Sequence, residues 1–155
     1  MALAGRVGER FAVRNSGALT VVEGVGEHAC EYMTGGIVIV IGPTGQNFGA
    51  GMSGGVAYVH NPDKLLAART NHQLVDLDPV DAERRDMLKG LIEEHLRRTG
   101  SDVARELLGR WAEAVEEFTL VIPRGYKEAM ARLREEARAG EGEADTDERA
   151  TEAAA

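Results

Sequence analysis

AVRNSGALTVVEGVGEHAC (Ala12–Cys30), EYMTGGIVIVIGPTGQNFG (Glu31–Gly49) and AGMSGGVAYVHNPDKLLAA (Ala50–Ala68), set under one another, form three blocks of nineteen residues. Gly17, Gly36 and Gly55 fall in one column, and Ser16, Gly35 and Gly54 in the column before it. The column before that is small and polar: Asn15, Thr34 and Ser53. Arg14, Met33 and Met52 stand three places before the shared glycine. Each glycine is followed by an apolar, β-rich run: Ala18–Val22, Ile37–Ile41 and Val56–Val59. Each run ends in turn chemistry: Glu23-Gly24, Gly42-Pro43 and Asn61-Pro62.

Internal repetition with one strand and one glycine corner per period predicts a parallel β-solenoid. A sharp corner without a Cβ clash selects glycine, so Gly17, Gly36 and Gly55 are the expected structural glycines. Hairpins are disfavoured, because two-residue Asn-Gly or Asp-Gly turns are missing. The run Ile37-Val38-Ile39-Val40-Ile41 has no polar face, which predicts burial on both sides. One side would face the solenoid interior. The other needs a cover, supplied by the C-terminal helices or by another domain.

Past Asn61-Pro62 the pattern changes. Charged and apolar residues alternate at helical spacing up to Arg138. A short helix is expected over Pro62–Arg69 and a short strand over Gln73–Leu77. Asp78-Pro79 is the expected cap and first residue of a long helix with the stripe Val80, Met87, Leu88, Leu91, Ile92 and Leu96, stopped by Thr99-Gly100. Ser101 would cap the next helix, with the stripe Val103, Leu107, Leu108, Trp111 and Val115. A strand over Phe118–Ile122 and a helix over Tyr126–Arg138 follow. The whole is α+β: a short β-solenoid over 1–61, a helical region packed on it over 62–138, and an acidic tail over 139–155.

That tail dominates the charge. Residues 135–155 hold eight acids and two arginines, so −6 of the net −8 lies there. Without aromatic or large aliphatic residues from Ala139 onward, disorder is expected. The body lacks the basic patch that nucleic-acid binding needs. No run approaches the ~20 apolar residues of a membrane helix, and no signal-peptide pattern opens the chain. A soluble, cytoplasmic protein is the expectation.

Four groups of residues could carry chemistry. Gly49-x-Gly51-x-x-Gly54 fits a dinucleotide-binding spacing, but a strand-like run follows where a helix is required. Gly42-Pro43-Thr44-Gly45 lacks the Gly-Lys-Ser/Thr of a phosphate loop. His28 and Cys30, the chain's one cysteine, have no second cysteine pair and no ligand spacing to His60, His72 or His95. His95, between Glu93-Glu94 and Arg97-Arg98, is expected on a solvated helix face. Met33 and Met52 are expected in the core, and Trp111 as a core or docking residue. Neither catalytic, cofactor-binding nor metal-ligating residues are assigned.

Gly8–Gly17 (GERFAVRNSG) and Val22–Gly36 (VEGVGEHACEYMTGG) closely resemble the glutamate synthase large subunit near its C-terminus. Gly42–Phe48 (GPTGQNF), Ala50–Gly55 (AGMSGG) and, more loosely, Phe118–Tyr126 (FTLVIPRGY) continue the resemblance, which covers roughly residues 5–134. It implies a right-handed β-helix packed against the other domains or subunits of an enzyme that makes two glutamates from glutamine and 2-oxoglutarate. It also implies that the amidotransferase nucleophile, the FMN and the iron–sulfur cluster belong elsewhere in that enzyme. This chain, alone, is expected to be inactive and to hold no cofactor. Two other classes are open: a solenoid subunit of another oxidoreductase, such as a formylmethanofuran dehydrogenase-like enzyme, and a nucleotide-binding enzyme using Gly49–Gly54. Leu3–Arg6 reads as the end of an earlier coil, so self-association through an uncapped first coil is a further expectation.

Overall fold

The structure, a computed structural model, describes residues 1–153, with side chains to residue 140. One six-stranded sheet organises it. Strands β1 (Ala2–Leu3), β2 (Ser16–Val22), β3 (Thr34–Val40) and β4 (Gly54–His60) pair in parallel in chain order, giving about three solenoid turns. Strand β6 (Phe118–Pro123) adds antiparallel to β4, and β5 (Val75–Pro79) adds antiparallel to β6 at the far edge. Between them run α1 (Leu66–Arg69), α2 (Ala82–Thr99), α3 (Asp102–Gly109), α4 (Trp111–Ala114) and a 3₁₀ turn, Val115–Glu117. Helix α5 spans Arg124–Ala153. The expected disorder of 139–155 falls, but for Ala139 and Gly140, on residues whose side chains are not described. No described helix is long and apolar enough to cross a membrane.

Strand β3 is buried on both faces, as its composition predicts. Val38 and Val40 point into the solenoid with Val22, Cys30, Met33, Phe48, Met52 and Val59. Ile39, with Ile41 just beyond the strand, points the other way, into a second core with Tyr58, Leu88, Ile92, Leu107 and Leu120. The cover is therefore the chain's own α2 and α3. Both recurring methionines are fully buried, and Trp111 is half-buried against Phe118, with ring centroids 6.0 Å apart.

The coil length is not uniform. The register pairs Ala2 with Val21 and Ile37 with Val56, nineteen apart, but Leu19 with Ile37, eighteen apart. The irregularity has a fixed place. Between Ser16 and Leu19 two residues of β2 oppose the single Gly36, and between Thr34 and Ile37 two residues of β3 oppose the single Gly55. Each coil thus starts its strand with a bulge, and the next coil meets that bulge with a glycine. Gly36 has φ +91°, and a Cβ there would lie 2.4 Å from the Ala18 carbonyl oxygen. Gly55 has φ +73° and the same relation to the Gly35–Gly36 backbone. Gly17 differs from both: its φ is an ordinary one, and a Cβ would meet nothing within 4 Å. The reason is positional. The two residues of β1 pair only with Val21 and Val22, so no bulge lies opposite Gly17.

Each corner before a strand contains left-handed residues at every second position. They are Arg10, Ala12 and Arg14, then His28, Cys30 and Tyr32, then Asn47, Gly49 and Gly51. Only the last coil marks these positions with glycine. None of the non-glycine residues is β-branched, which is what makes the conformation tolerable. Inter-coil hydrogen bonds hold it: Arg10 N to Glu27 O at 2.8 Å, His28 N to Gln46 O at 2.9 Å and Tyr32 N to Ala50 O at 2.8 Å.

In the helical half, Ser101 caps α3 as expected, its Oγ accepting from the Ala104 amide at 3.1 Å. Gly100, at φ +67°, ends α2. The expected cap at Asp78-Pro79 is displaced. Those residues end β5, and Asp81 caps α2 by accepting from the Arg84 amide at 3.0 Å. β5 is an edge strand, where proline costs no ladder bond.

The bulge account makes a paired prediction. Gly36→Val is expected to lose at least about 1–3 kcal/mol, the range for a strained backbone, before its overlap with Ala18 is added. Gly17→Val is expected to stay within about 0.5 kcal/mol of the parent, as surface changes do. Urea unfolding of both variants is the check, and equal losses would refute the assignment of the bulges.

Candidate functional site

The glycine-rich turns come first, since they carry the nucleotide-like spacing. In Gly49–Gly54 three of the backbone amides bond to the preceding coil, and Met52 N bonds back to Gly49 O at 3.1 Å. Gly49 N donates to Ala29 O at 2.9 Å, and Ser53 N and Gly54 N donate to Met33 O at 2.9 and 3.3 Å. The next element is β4, so no helix N-terminus faces the loop. Gly42-Pro43-Thr44-Gly45 is likewise a corner. Pro43 O accepts from Val25 N at 3.0 Å, and Thr44 O accepts from Arg69 Nη1 at 2.8 Å.

Cys30 lies wholly inside the solenoid, and burial pushes its thiol up to about 12. A thiol so far from ionisation is a poor nucleophile and a poor ligand. His28, two residues away, is half-exposed, with Nδ1 3.9 Å from Glu31. Among the described residues no three His, Cys, Asp or Glu side chains gather as a metal site.

Two polar clusters tie the solenoid to the helices, and the sequence pattern pointed to neither. In the first, His60 Nε2 meets Glu117 Oε2 at 2.6 Å across the β4–β6 seam. Arg110 grips the same carboxylate with two bonds of 3.0 Å. Arg110 first and His60 second hold the Glu117 carboxyl down at about 2. The signal for this pair is tertiary: His60 and Glu117 are 57 residues apart and meet only once β6 joins the sheet.

The second cluster corrects the expectation for His95. Its side chain is fully buried, not solvated. Helix α2 turns Leu88, Ile92 and His95 toward the sheet, while Met87, expected in the apolar stripe, is 39 % exposed. The positions i, i+4 and i+7 share one face, so the histidine takes the inward place that the flanking charges leave. Both ring nitrogens lack a hydrogen-bond partner, and Glu23 Oε1 is 4.0 Å from Nε2. Burial pulls the imidazole below its ordinary value, and the Glu23 charge opposes this only in part. Glu23 itself is a junction. Oε2 accepts from Gly5 N at 2.5 Å, and Ser101 Oγ donates to Oε1. One carboxylate thus joins the first corner, the second corner and the cap of α3.

None of these groups lines a cleft with a nucleophile and a base in reach of each other. What the site offers is surface and rigidity. Residues 1–124 match the family described as the GXGXG motif, and the chain belongs to that family. Its curated relatives are large glutamate synthases. It is 46 % identical over 138 residues to the glutamate synthase [NADPH] large chain of Bacillus subtilis, covering 88 % of this chain and 9 % of that one. It is 50 % identical over 131 residues to the glutamate synthase [NADH] of Schizosaccharomyces pombe, covering 84 % and 6 %. With the ferredoxin-dependent glutamate synthase 1 of Arabidopsis thaliana it shares 46 % over 120 residues, covering 77 % and 7 %. The chain therefore spans less than a tenth of the length of these relatives.

His95 gives a pH-dependent prediction. A histidine buried neutral binds its proton more readily when unfolded. Its contribution is complete above the ordinary value of 6.5 and is lost as pH falls from there through the lower folded value. His95→Leu removes two unsatisfied polar atoms, so it is expected to match or exceed the parent's stability at about pH 7. Its advantage should widen toward about pH 5. Thermal melts at both pH values check this, and a constant difference would refute it.

Proposed function

We propose that this chain is a structural and docking module of a glutamate synthase, without catalytic residues of its own. The observation that carries this reading is the agreement between relatives and interior. Relatives named as glutamate synthases match across both the solenoid and the helices, while the chain's nucleophile candidate, Cys30, is sealed in the core. On this reading glutamine hydrolysis and glutamate formation belong to other domains or subunits. So do the FMN and the iron–sulfur cluster that the resemblance implies. The residues here do not suit a cluster, which needs several thiolates where this chain has one buried cysteine. The solenoid over 1–61 would supply the rigid stack, and the region 62–138 its permanent cover on one face.

The alternative nucleotide-binding reading loses support because β4 follows Gly49–Gly54 where a helix N-terminus is needed, and the Gly49, Ser53 and Gly54 amides bond to the neighbouring coil. The β1 edge supports one addition to the docking role. A sheet that ends on a two-residue strand exposes unpaired backbone on β2, and such an edge recruits another strand from a partner or a second copy.

Purified alone, the chain is expected to release no ammonia from glutamine above background and to show no flavin absorbance. Ammonia release above background, above all one that Cys30→Ala abolishes, or a flavin spectrum, would contradict the docking reading.

A further inference from the structure

The helical cover stops short of one row of the sheet. On the outer face Val21, Ile39 and Tyr58 stand in register, and all three are buried. The next row toward the strand starts, Leu19, Ile37 and Val56, is also in register and wholly apolar, yet Leu19 is 38 % exposed and the other two are half-covered. This row floors a groove of about 520 Å³, walled by Met87 of α2 and Tyr126 of α5, which are 39 % and 37 % exposed. Tyr58 also lines the groove. It is 1 % exposed, and its hydroxyl makes none of the side-chain hydrogen bonds found among the described residues. Arg84, at the rim, is already paired with Asp81. The groove is thus lined mainly by apolar side chains, and the charge at its rim is already paired. Its volume lies within the range of sites that enclose a ligand's apolar body and fix it by a few polar groups.

Resting on the docking role argued above, we propose that this groove is where the chain receives the rest of the synthase. The occupant is a short apolar segment of glutamate synthase polypeptide from outside the matched region. Two observations favour that occupant. The chain spans only 6–9 % of the length of its first relatives, so most of such an enzyme lies outside it. The uncovered row also continues the same apolar face that the chain's own helices cover, so a second apolar layer extends an existing core.

The test places photoreactive benzoylphenylalanine at Met87 in the chain within the cells that make it, with Glu106 on exposed α3 as the control position. The expected result is a cross-link from position 87 to a single peptide of glutamate synthase sequence outside the matched region. It should fall at least about tenfold when Tyr126→Glu puts a charge into the groove, as at the centre of an apolar interface. Both altered side chains are exposed, so the thermal melt of each variant should match the parent. A cross-link to a second copy of the chain would overturn the proposal. So would a yield no greater than at Glu106 while probes at Leu65 or Tyr32 capture synthase peptides; that outcome would leave the docking role standing. Capture of no synthase peptide from any position would overturn both.

Discussion

Everything in this fold depends on the burial of β3 from both sides. Val38 and Val40 close the solenoid interior, and Ile39 closes the layer beneath α2 and α3. Burying one aliphatic side chain is worth roughly 1.5–3 kcal/mol, and this strand does so on each face in turn. The solenoid therefore cannot shed its helices without exposing a continuous isoleucine, valine and tyrosine surface. The helices, short of sheet contact, would lose the apolar face against which Leu88 and Ile92 pack. The two halves, so different in composition, form one structure through one strand.

Backbone constraints set how the coils stack. A bulge at the start of each strand leaves a carbonyl projecting toward the following coil, and only a residue without a Cβ fits beneath it. Gly36 and Gly55 answer that demand, and the left-handed corners before them are held by hydrogen bonds from the neighbouring coil. The corners are consequently laced with bonds to the neighbouring coil, and glycine spacings that suggest phosphate binding serve those corners.

Much of the fold was legible in the sequence because its strongest signals are local. The three strands, the buried Met33 and Met52, the two-faced β3 and the Ser101 cap all follow from residue type and period. The eighteen-residue step between β2 and β3 was not legible, because a bulge shifts register without altering the glycine column. The left-handed positions at Arg10, Ala12, Arg14, His28, Cys30 and Tyr32 carry no sequence mark, since neighbouring coils, not the residues, impose them. His95 was misplaced because its charged neighbours outvoted its phase on the helix. The clusters on Glu23 and Glu117 join residues 57 to 78 positions apart and appear only once the sheet is assembled. Of the candidate site, the buried position of Cys30 and the corner role of the glycine motifs could be argued in advance. The groove over Leu19, Ile37 and Val56 could not, because it depends on where the helical cover ends.

Native-state hydrogen exchange in increasing urea tests the central claim most directly. If β3 binds the two halves into one unit, the amides of Val38–Val40 and those of Leu88–Ile92 open together. They should share one free energy, equal to that of global unfolding, and one urea dependence. Exchange of the α2 amides through a smaller opening, with the β3 amides still protected, would show that the helices are a detachable layer and that the strand does not carry the fold.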